Sequence, residues 1–343
     1  MTRTGTARQV LKHLYEIDAN LTRLYGELDD NYLAVTGGGE KRILKIMHAG
    51  CDPQRVDLQC AAMAHLSDKA TELNLPQVIP TTAGQAYTEV DVGGDKRLVW
   101  SLKYCPGTLL ADTTPRSDSL IRSFGRTMAL IDLGLLSFTH PAMRQLHKWE
   151  LTRAGKARPF AQYVNGDAAS EIDAVLRHFE DNTLEKLKTL PYSVIHNDAN
   201  EGNVLVNVNE DGDALVDGLI DFGDLSYQPT VCEVAIALAY VVTDEDDPLA
   251  ACAGFLESYS ELKGLNDDEI AVLYDLILAR LAVSVAISAE RRHVDPDDQL
   301  GNQDNQPAVR AISRLVDISP KEAEITFRQA CAKLASSIGE GVL

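Results

Sequence analysis

The spacing of hydrophobic positions changes near residue 112. Before it, short runs rich in β-branched and aromatic residues are separated by polar turns, which predicts an antiparallel sheet preceded by a helix over residues 6–17. After it, apolar residues recur mostly at helical spacing. The predicted strands span 22–27, 32–36, 42–47, 85–92 and 97–104, with a helix over 57–67 after the third.

The second part of the chain is predicted to be mainly helical. Asn266 and Glu269 have capping-box spacing at the start of its longest helix. Residues 270–288 are strongly apolar, but Asp275 and Arg280 would be costly in a bilayer, so we expect a buried helix rather than a membrane span. The predicted helices span 117–136, 146–153, 168–190, 230–242, 248–260, 266–292, 308–316 and 320–338.

One stretch, residues 192–224, interrupts the helical pattern. It opens with an apolar strand over 192–195, and residues 203–220 contain two short β-rich runs joined by a polar Asp/Gly turn. This arrangement predicts a hairpin. The residues that carry candidate chemistry flank that hairpin.

Four residues of this stretch have the spacing of two phosphoryl-transfer motifs. His196, Asp198 and Asn203 form HxDxxxxN, and Asp221 begins DFG. Phosphoryl transfer needs a carboxylate that orients the attacking hydroxyl and takes its proton, which suits Asp198. It also needs hard oxygen ligands for Mg²⁺, which suits Asn203 and Asp221. We expect His196 to brace the loop by hydrogen bonding.

Lys45 lies within the third predicted strand. Such a lysine can snorkel at a sheet edge or reach a phosphate, and the later motifs favour the phosphate. We do not expect the triple glycine 37–39 to cover phosphates, because in kinases the phosphate-covering loop lies between the first two strands of the sheet. Residues 26–31 occupy that place; they lack GxGxxG, although their backbone N–H groups could still contact phosphate.

Two further features suit a nucleotide. Gln59, on the helix over 57–67, stands where kinases place the glutamate that pairs with the strand lysine; it can hydrogen-bond but brings no charge. Residues 102–109 leave the last strand through Pro and Gly, which predicts a hinge between two lobes. The backbone of that segment is a suitable place for a purine to dock.

Composition restricts the function classes. At 343 residues, with 45% hydrophobic and 24% charged residues, the chain is an ordinary globular protein. A net charge of −19 argues against nucleic-acid partners and anionic membranes; it is compatible with a cationic substrate, although a solubilising surface charge is the commoner reason. Six cysteines without a CxxC pair and an N-terminus without an apolar core predict a cytoplasmic protein.

With these motifs in place, the chain resembles the aminoglycoside phosphotransferase and choline kinase superfamily, and most closely its hydroxylysine kinase-like branch. The resemblance runs from about residue 20 to the C-terminus. It is carried by PGTLL at the hinge, LSFTHPAMRQLHKWEL, GLIDFGDLSYQPTVCEVAIALAY and LILARLAVSVAISAERR. It implies an α+β, protein-kinase-like fold of two lobes, a small antiparallel β-rich lobe over 1–104 and a large mainly helical lobe over 105–343.

The resemblance also implies roles for individual residues. Asp198 is the implied base, with His196 in the same catalytic motif. Asn203 and Asp221 are the implied ligands of Mg²⁺. The implied contacts to the donor nucleotide, ATP or GTP, are Lys45 at the phosphates with Gln59 beside it, and Leu102, Lys103 and Tyr104 at the purine.

The sequence departs from the family pattern at two positions. Gln59 stands where many relatives have Glu, which puts the charged pair with Lys45 in doubt. Glu233 stands where many have Asp, at a position expected to anchor the helix after the metal loop.

The acceptor site is less defined. An amine-bearing alcohol needs carboxylates or aromatic faces beside it, since an unpaired buried ammonium is costly. Arg280 and Glu290 could line the same cleft, but a structural ion pair is the commoner role on a packed helix. The candidate acceptor residues are Glu201, Asp224, Trp149 and Glu150, each of which could equally face solvent or the core.

These observations favour a Mg²⁺-dependent kinase for the hydroxyl of a small amine or amino acid. The alternatives are an aminoglycoside, homoserine, choline or ethanolamine kinase, or a catalytically weak nucleotide-binding relative. A protein kinase is disfavoured, because no APE-type segment follows Asp221.

Overall fold

The computed structural model describes residues 3–299 and 301–337. These residues belong to two compact units. The first comprises the chain up to Pro106 together with His140–Ala142, and the second comprises Gly107–Thr139 and the chain from Met143 onward. The first is rich in antiparallel strands and the second in helices, so the fold is α+β, as predicted.

The first unit contains a sheet with strand order β1-β2-β3-β6-β4, with β5 paired to β6. All its pairings are antiparallel, which confirms the predicted meander. The elements are α1 (Arg3–Tyr15), β1 (Ala19–Leu24), β2 (Asp30–Thr36), β3 (Lys41–Ile46), α2 (Pro53–Lys69), β4 (Val78–Ile79), β5 (Tyr87–Val92) and β6 (Asp95–Lys103).

The core of the first unit lies where α1 packs on the sheet. Leu11 of α1 and Leu44 of β3 are fully buried, and Tyr32 and Val99 complete the layer from the neighbouring strands. Because β3 is hydrogen-bonded to a strand on each side, it lies inside the sheet. Lys45, near its end, is only 8% exposed.

The second unit consists mainly of helices, and most of the predicted ones are confirmed. Asn266 and Glu269 form the predicted capping box at the start of α8. The helices are α3 (Asp118–Leu135), α4 (Ala168–His178), α5 (Leu184–Leu187), α6 (Val231–Val241), α7 (Pro248–Ser260), α8 (Asp267–Val294), α9 (Gln306–Val316) and α10 (Pro320–Ser337).

The prediction of a helix over 146–153 is wrong. Residues 146–150 form a turn, because the side chain of Glu150 accepts a hydrogen bond from the N–H of His147 at 2.8 Å. A 3₁₀ helix, Leu151–Tyr163, follows and contains Pro159, whose missing N–H disfavours a continuous α-helix. The candidate residues Trp149 and Glu150 therefore lie in a turn and not on a helix.

The helix predicted over 168–190 is interrupted. α4 ends at His178, a wider π-type turn covers Phe179–Thr183, and α5 follows. The side chain of Asn182 donates to the carbonyl of His178 at 3.1 Å, which offers that carbonyl an alternative to the regular backbone ladder.

Short strands of the second unit carry the candidate chemistry. β7 (Thr108–Leu109), β9 (Val204–Val208) and β10 (Ala214–Leu219) form a sheet of order β10-β9-β7, which confirms the predicted hairpin. β8 (Tyr192–Ile195), the predicted apolar strand, pairs with β11 (Ser226–Pro229), which the sequence pattern did not predict.

α8 is the long apolar helix of the second unit. Within residues 3–299 and 301–337, it alone has the length and composition to cross a membrane, and 78% of its most apolar window is buried inside the protein. Arg280 lies in this buried stretch and is 3% exposed. The predicted burial of this helix is confirmed.

α3 and α7 approach each other closely at a glycine. A Cβ atom at Gly125 of α3 would overlap the backbone carbonyl of Phe255 on α7. Gly254, on α7, offers a contrast, because a Cβ there would meet its nearest atom, Cγ2 of Ile121, at 3.9 Å. Only the first of these two helical glycines is required by the helix packing.

Gly125→Ala should therefore lower the free energy of unfolding by about 1–3 kcal/mol, because the backbones must move apart. Gly254→Ala is the matched control and should raise the free energy of unfolding by up to about 1 kcal/mol, since alanine favours a helix. Urea unfolding of both variants measures the difference. Equal effects of the two substitutions would contradict the close packing.

Candidate active site

The loop after β8 is held in place from α6. The N–H of Asn197 donates to Oε2 of Glu233 at 3.0 Å, and the side-chain oxygen of Asn197 accepts from Gln228 at 2.7 Å. Asn197 has a left-handed backbone conformation, with φ of 70°, a region where asparagine is tolerated. Glu233 therefore fixes the loop that carries Asp198. The sequence predicted only that Glu233 anchors its own helix.

Glu233 is fully buried, and burial raises the pKa of its carboxyl to about 8, with buried Asp132 adding to the rise. Hydrogen bonds from the backbone at Asn197 and His196 oppose this shift. The loop is thus attached to α6 through a carboxyl group with little access to water.

His196 braces the same loop, as predicted. Its Nε2 lies 3.1 Å from the carbonyl oxygen of Ile220 and donates to it, while Nδ1 accepts from the N–H of Asp198 at 3.3 Å. The ring packs edge-on against Phe222 of the DFG sequence. Burial lowers the pKa of His196 to about 4, so the imidazole is neutral at pH 7.

The carboxylate of Asp198 is oriented by three side chains among those the structure describes. Its Oδ2 accepts from the amide nitrogens of Asn200 and Asn203, both at 2.8 Å. Its Oδ1 accepts from Nη2 of Arg280 at 3.0 Å. Burial raises the pKa of Asp198, Arg280 opposes this, and Asp221 adds to the rise. The side chain is 22% exposed, so a substrate can reach it.

Asn203 and Asp221 provide hard oxygen donors near this carboxylate. The amide nitrogen of Asn203 is used in its bonds to Asp198, which leaves the amide oxygen for a metal. Asp221 is exposed and has a left-handed backbone conformation, with φ of 62°. One carboxylate and one amide oxygen fit Mg²⁺, which usually takes its remaining ligands from phosphates and water.

In the first unit, Lys45 projects from the central strand β3. Its Nζ lies 5.6 Å from the ring centroid of Trp100, its register partner on β6. Gln59 of α2 is buried, and its amide nitrogen donates to the carbonyl of Arg55, one turn earlier, at 3.2 Å. The predicted association of Gln59 with Lys45 stays a prediction.

The predicted purine segment lies at the end of β6. Leu102 is buried and pairs with Ile43 of β3. Lys103 is exposed, and Nζ of Lys41 lies 5.0 Å from the ring centroid of Tyr104. The side chains of this segment thus belong to the sheet and its surface. The predicted contacts to a purine would therefore be made by the backbone of the segment.

The candidate acceptor residues differ in their surroundings. Glu201 pairs with Arg116 at 2.6 Å, and Asp224 pairs with His147 at 3.2 Å. Glu150 is buried and serves the turn described above, so the structure gives it a structural role. The remaining candidate is Trp149, whose ring centroid lies 5.4 Å from the guanidinium carbon of Arg280.

Sequence reasoning missed two contacts of Asp198. Arg280 was assigned a structural ion pair or a place in the cleft with Glu290, but the structure pairs it with Asp198. No local pattern could reveal this, since 82 positions separate the two residues. Asn200 lies inside the HxDxxxxN motif, two residues after Asp198, so its amide could have been predicted from the sequence as a hydrogen-bond donor to Asp198.

The model of a phosphotransferase enzyme family matches residues 21–265. The chain belongs to this phosphotransferase enzyme family. A hydroxylysine kinase from Danio rerio is 27% identical over 336 residues, covering 94% of this chain and 93% of that protein. A hydroxylysine kinase from Bos taurus is 28% identical over 221 residues, covering 61% of this chain and 58% of that protein.

Solved structures of phosphotransferases share the fold. Amicoumacin kinase in complex with AMP-PNP, Ca²⁺ and Ami has a TM-score of 0.66 at 18% identity, covering 96% of this chain and 99% of that chain. A microcompartment-associated aminopropanol kinase has a TM-score of 0.65 at 19% identity, covering 97% and 98%. The predicted kinase-like fold and family resemblance are confirmed.

Together, the family and these relatives identify a small-molecule kinase, a phosphotransferase that acts on a hydroxyl group. The prediction of this activity from the sequence is confirmed. The match to the relative from Danio rerio covers 94% of this chain and therefore includes residues of both units.

The buried neutral histidine of this phosphotransferase predicts a pH dependence of stability. Since the pKa of His196 in the folded protein is about 4 and the ordinary value is 6.5, the unfolded chain binds more protons between these values. The contribution of His196 to stability is therefore lost as the pH falls. Between pH 7 and pH 5, His196 should contribute a loss of about 2 kcal/mol in the free energy of unfolding.

Urea unfolding of wild type and of His196→Gln at both pH values isolates this loss as the difference between the two proteins, because Glu233, whose pKa is raised, contributes in the opposite direction. His178→Gln, at a histidine that is 56% exposed, is the control and should keep the wild-type pH dependence. An unchanged pH dependence in His196→Gln would contradict the buried neutral state.

Proposed function

We propose that this enzyme transfers the γ-phosphoryl group of Mg²⁺-bound ATP or GTP to the hydroxyl of an amine-bearing alcohol or amino acid of the hydroxylysine type. The observation that carries the proposal is the carboxylate of Asp198, oriented by Arg280, Asn200 and Asn203. The hydroxylysine kinase from Danio rerio, which matches nearly the whole chain, supports this class of acceptor.

In this mechanism Asp198 orients the acceptor hydroxyl and takes its proton. The neutral ring of His196 holds the backbone of Asp198 and does not exchange protons at pH 7. Asn203 and Asp221 would hold the metal, through the amide oxygen and the carboxylate. When bound, Mg²⁺ neutralises charge between the β- and γ-phosphates.

The donor nucleotide is assigned to the predicted lobe over 1–104. Lys45 offers a buried ammonium group on a rigid strand, which suits nucleotide phosphates. The backbone of Leu102, Lys103 and Tyr104 would receive the purine, and Gln59 would accompany Lys45 through hydrogen bonding. These roles of the nucleotide-binding residues rest on the family pattern. The predicted lobe over 105–343 would provide the residues that bind the acceptor.

Charge supports an acceptor that carries an amine. Glu201 and Asp224 are carboxylates that already pair with the cationic or titratable side chains of Arg116 and His147. An ammonium group can take the place of such a partner, and the face of Trp149 adds a cation–π surface. The net charge of −19 favours the approach of cationic acceptors.

We also propose that the enzyme works in the cytoplasm and acts there on free small molecules, with no nucleic-acid or membrane partner. The six cysteines, all of which the structure describes, form no disulfide bonds, which suits a reducing compartment.

The assignment of Asp198 and Asp221 predicts two different defects. Asp198→Ala should lower kcat by about 10³-fold, the scale of general acid–base catalysis, and leave the Kd of the Mg-nucleotide nearly unchanged. Asp221→Ala should weaken Mg-nucleotide binding as well, because it removes a metal ligand. Steady-state kinetics and calorimetric nucleotide binding measure both, with Asp213→Asn, at an exposed turn of the hairpin, as the control.

The acceptor is identified by nucleotide consumption. Hydroxylysine, homoserine, choline, ethanolamine and aminoglycosides are compared under the same conditions, with Asp198→Ala as the blank and both ATP and GTP as donors. We expect the highest kcat/KM with hydroxylysine. Nucleotide binding without turnover of any of these acceptors would contradict the proposal and favour a catalytically weak nucleotide-binding relative.

A further inference from the structure

The oxygens of Asp198 have limited room for another hydrogen bond. An ionised carboxylate offers about two lone-pair positions on each oxygen. Oδ2 accepts from Asn200 and Asn203, so both of its positions are occupied. Oδ1 accepts from Arg280, and among the described residues it has no second donor. The acceptor hydroxyl can therefore bond to Oδ1, beside the guanidinium group of Arg280.

Arg280 is itself held rigidly. It lies on the buried helix α8 and is 3% exposed. Its Nη2 donates to the hydroxyl of Tyr240 at 3.1 Å as well as to Asp198. Its guanidinium carbon lies 5.4 Å from the ring centroid of Trp149 and 5.6 Å from that of Tyr240, within the range of cation–π attraction.

A purely stabilising role accounts poorly for this arrangement. Nε and Nη1 of Arg280 are buried and have no hydrogen-bond partner in the described part of the chain. Unsatisfied buried donors are costly, and buried ion pairs in general give little net stability. What the guanidinium does supply is a fixed cation at the one oxygen of Asp198 that remains open to a substrate.

We infer that Arg280 is a positioning residue for phosphoryl transfer, which directs the acceptor hydroxyl to the remaining lone pair of Asp198 Oδ1. This inference rests on the proposed function. As the acceptor oxygen forms its bond to the γ-phosphorus, the bond from phosphorus to the bridging oxygen breaks and its electron pair leaves with the nucleoside diphosphate. The hydroxyl proton passes to Oδ1 of Asp198.

The test replaces the guanidinium by an apolar side chain of similar length. Arg280→Met should lower kcat by about 10²-fold, the scale of a small misplacement of reacting groups, and change the Kd of the Mg-nucleotide by less than about threefold. Arg280→Lys keeps a cation and should retain more of the activity than Arg280→Met. Circular dichroism and thermal melting report whether each variant folds.

Arg291→Met is the matched control. Arg291 also lies on α8 and pairs with a carboxylate, that of Asp298, at 2.6 Å, but it does not contact Asp198. Its substitution removes this partly buried ion pair and should leave kcat within about twofold of wild type. If Arg280→Met does not fold, Arg280→Lys and Arg280→Gln provide the same comparison.

A double-mutant cycle separates positioning from structural support. In an Asp198→Asn background, Arg280→Met should lower the residual activity by less than about threefold, because its effect acts through Asp198. Two results would overturn the inference. One is a loss of about 10²-fold on adding Arg280→Met to the Asp198→Asn variant, and the other is a kcat of Arg280→Met within about threefold of wild type. If wild type phosphorylates no acceptor, the proposed function fails, and acceptor-independent nucleotide hydrolysis then gives the same comparison for Arg280.

Discussion

The attachment of one loop to one helix is the constraint on which the site depends. Glu233, buried at the start of α6, accepts the N–H of Asn197, and this bond fixes the backbone immediately before Asp198. His196 fixes the same backbone from the other side through the Asp198 N–H. Two sets of hydrogen bonds therefore orient the Asp198 carboxylate, one that holds the backbone of the loop and one made by the carboxylate oxygens. Small changes at buried residues remote from any substrate can alter catalysis for this reason.

Two acidic candidate residues of the second unit have a cationic or titratable partner. Glu201 pairs with Arg116, and Asp224 pairs with His147. Asp221 is exposed and raises the pKa of Asp198, an effect that a bound divalent cation would counter. The site therefore has a demand for positive charge that Mg²⁺ and an ammonium-bearing acceptor would meet. The same charge pattern makes an anionic acceptor without an amine a poor match.

Much of the fold and part of the candidate site could be predicted from the sequence, because the signals for them are local. The meander around Lys45, the hairpin between Asn203 and Asp221, and the capping box of α8 each follow from periodicity, turn residues or short spacing. The helix predicted over 146–153 does not form, because a hydrogen bond from the N–H of His147 to the side chain of Glu150 outweighs weak helical spacing.

What the sequence could not predict is long-range placement. The contact of Arg280 with Asp198 joins residues 82 positions apart, and the bond from Glu233 to Asn197 joins residues 36 apart. Both are created by the packing of α6 and α8 in the second unit, which no pattern along the chain encodes. The roles of Gln59 and of the purine segment stay predictions for the same reason.

The oriented carboxylate of Asp198 should direct phosphoryl transfer to a hydroxyl oxygen. Phosphorus NMR of a reaction with hydroxylysine and Mg-nucleotide measures where the phosphoryl group arrives. We expect equal amounts of nucleoside diphosphate and a phosphate ester on the hydroxyl oxygen of hydroxylysine. Phosphate on the amine, or nucleotide hydrolysis that releases only inorganic phosphate, would contradict the proposed role of Asp198.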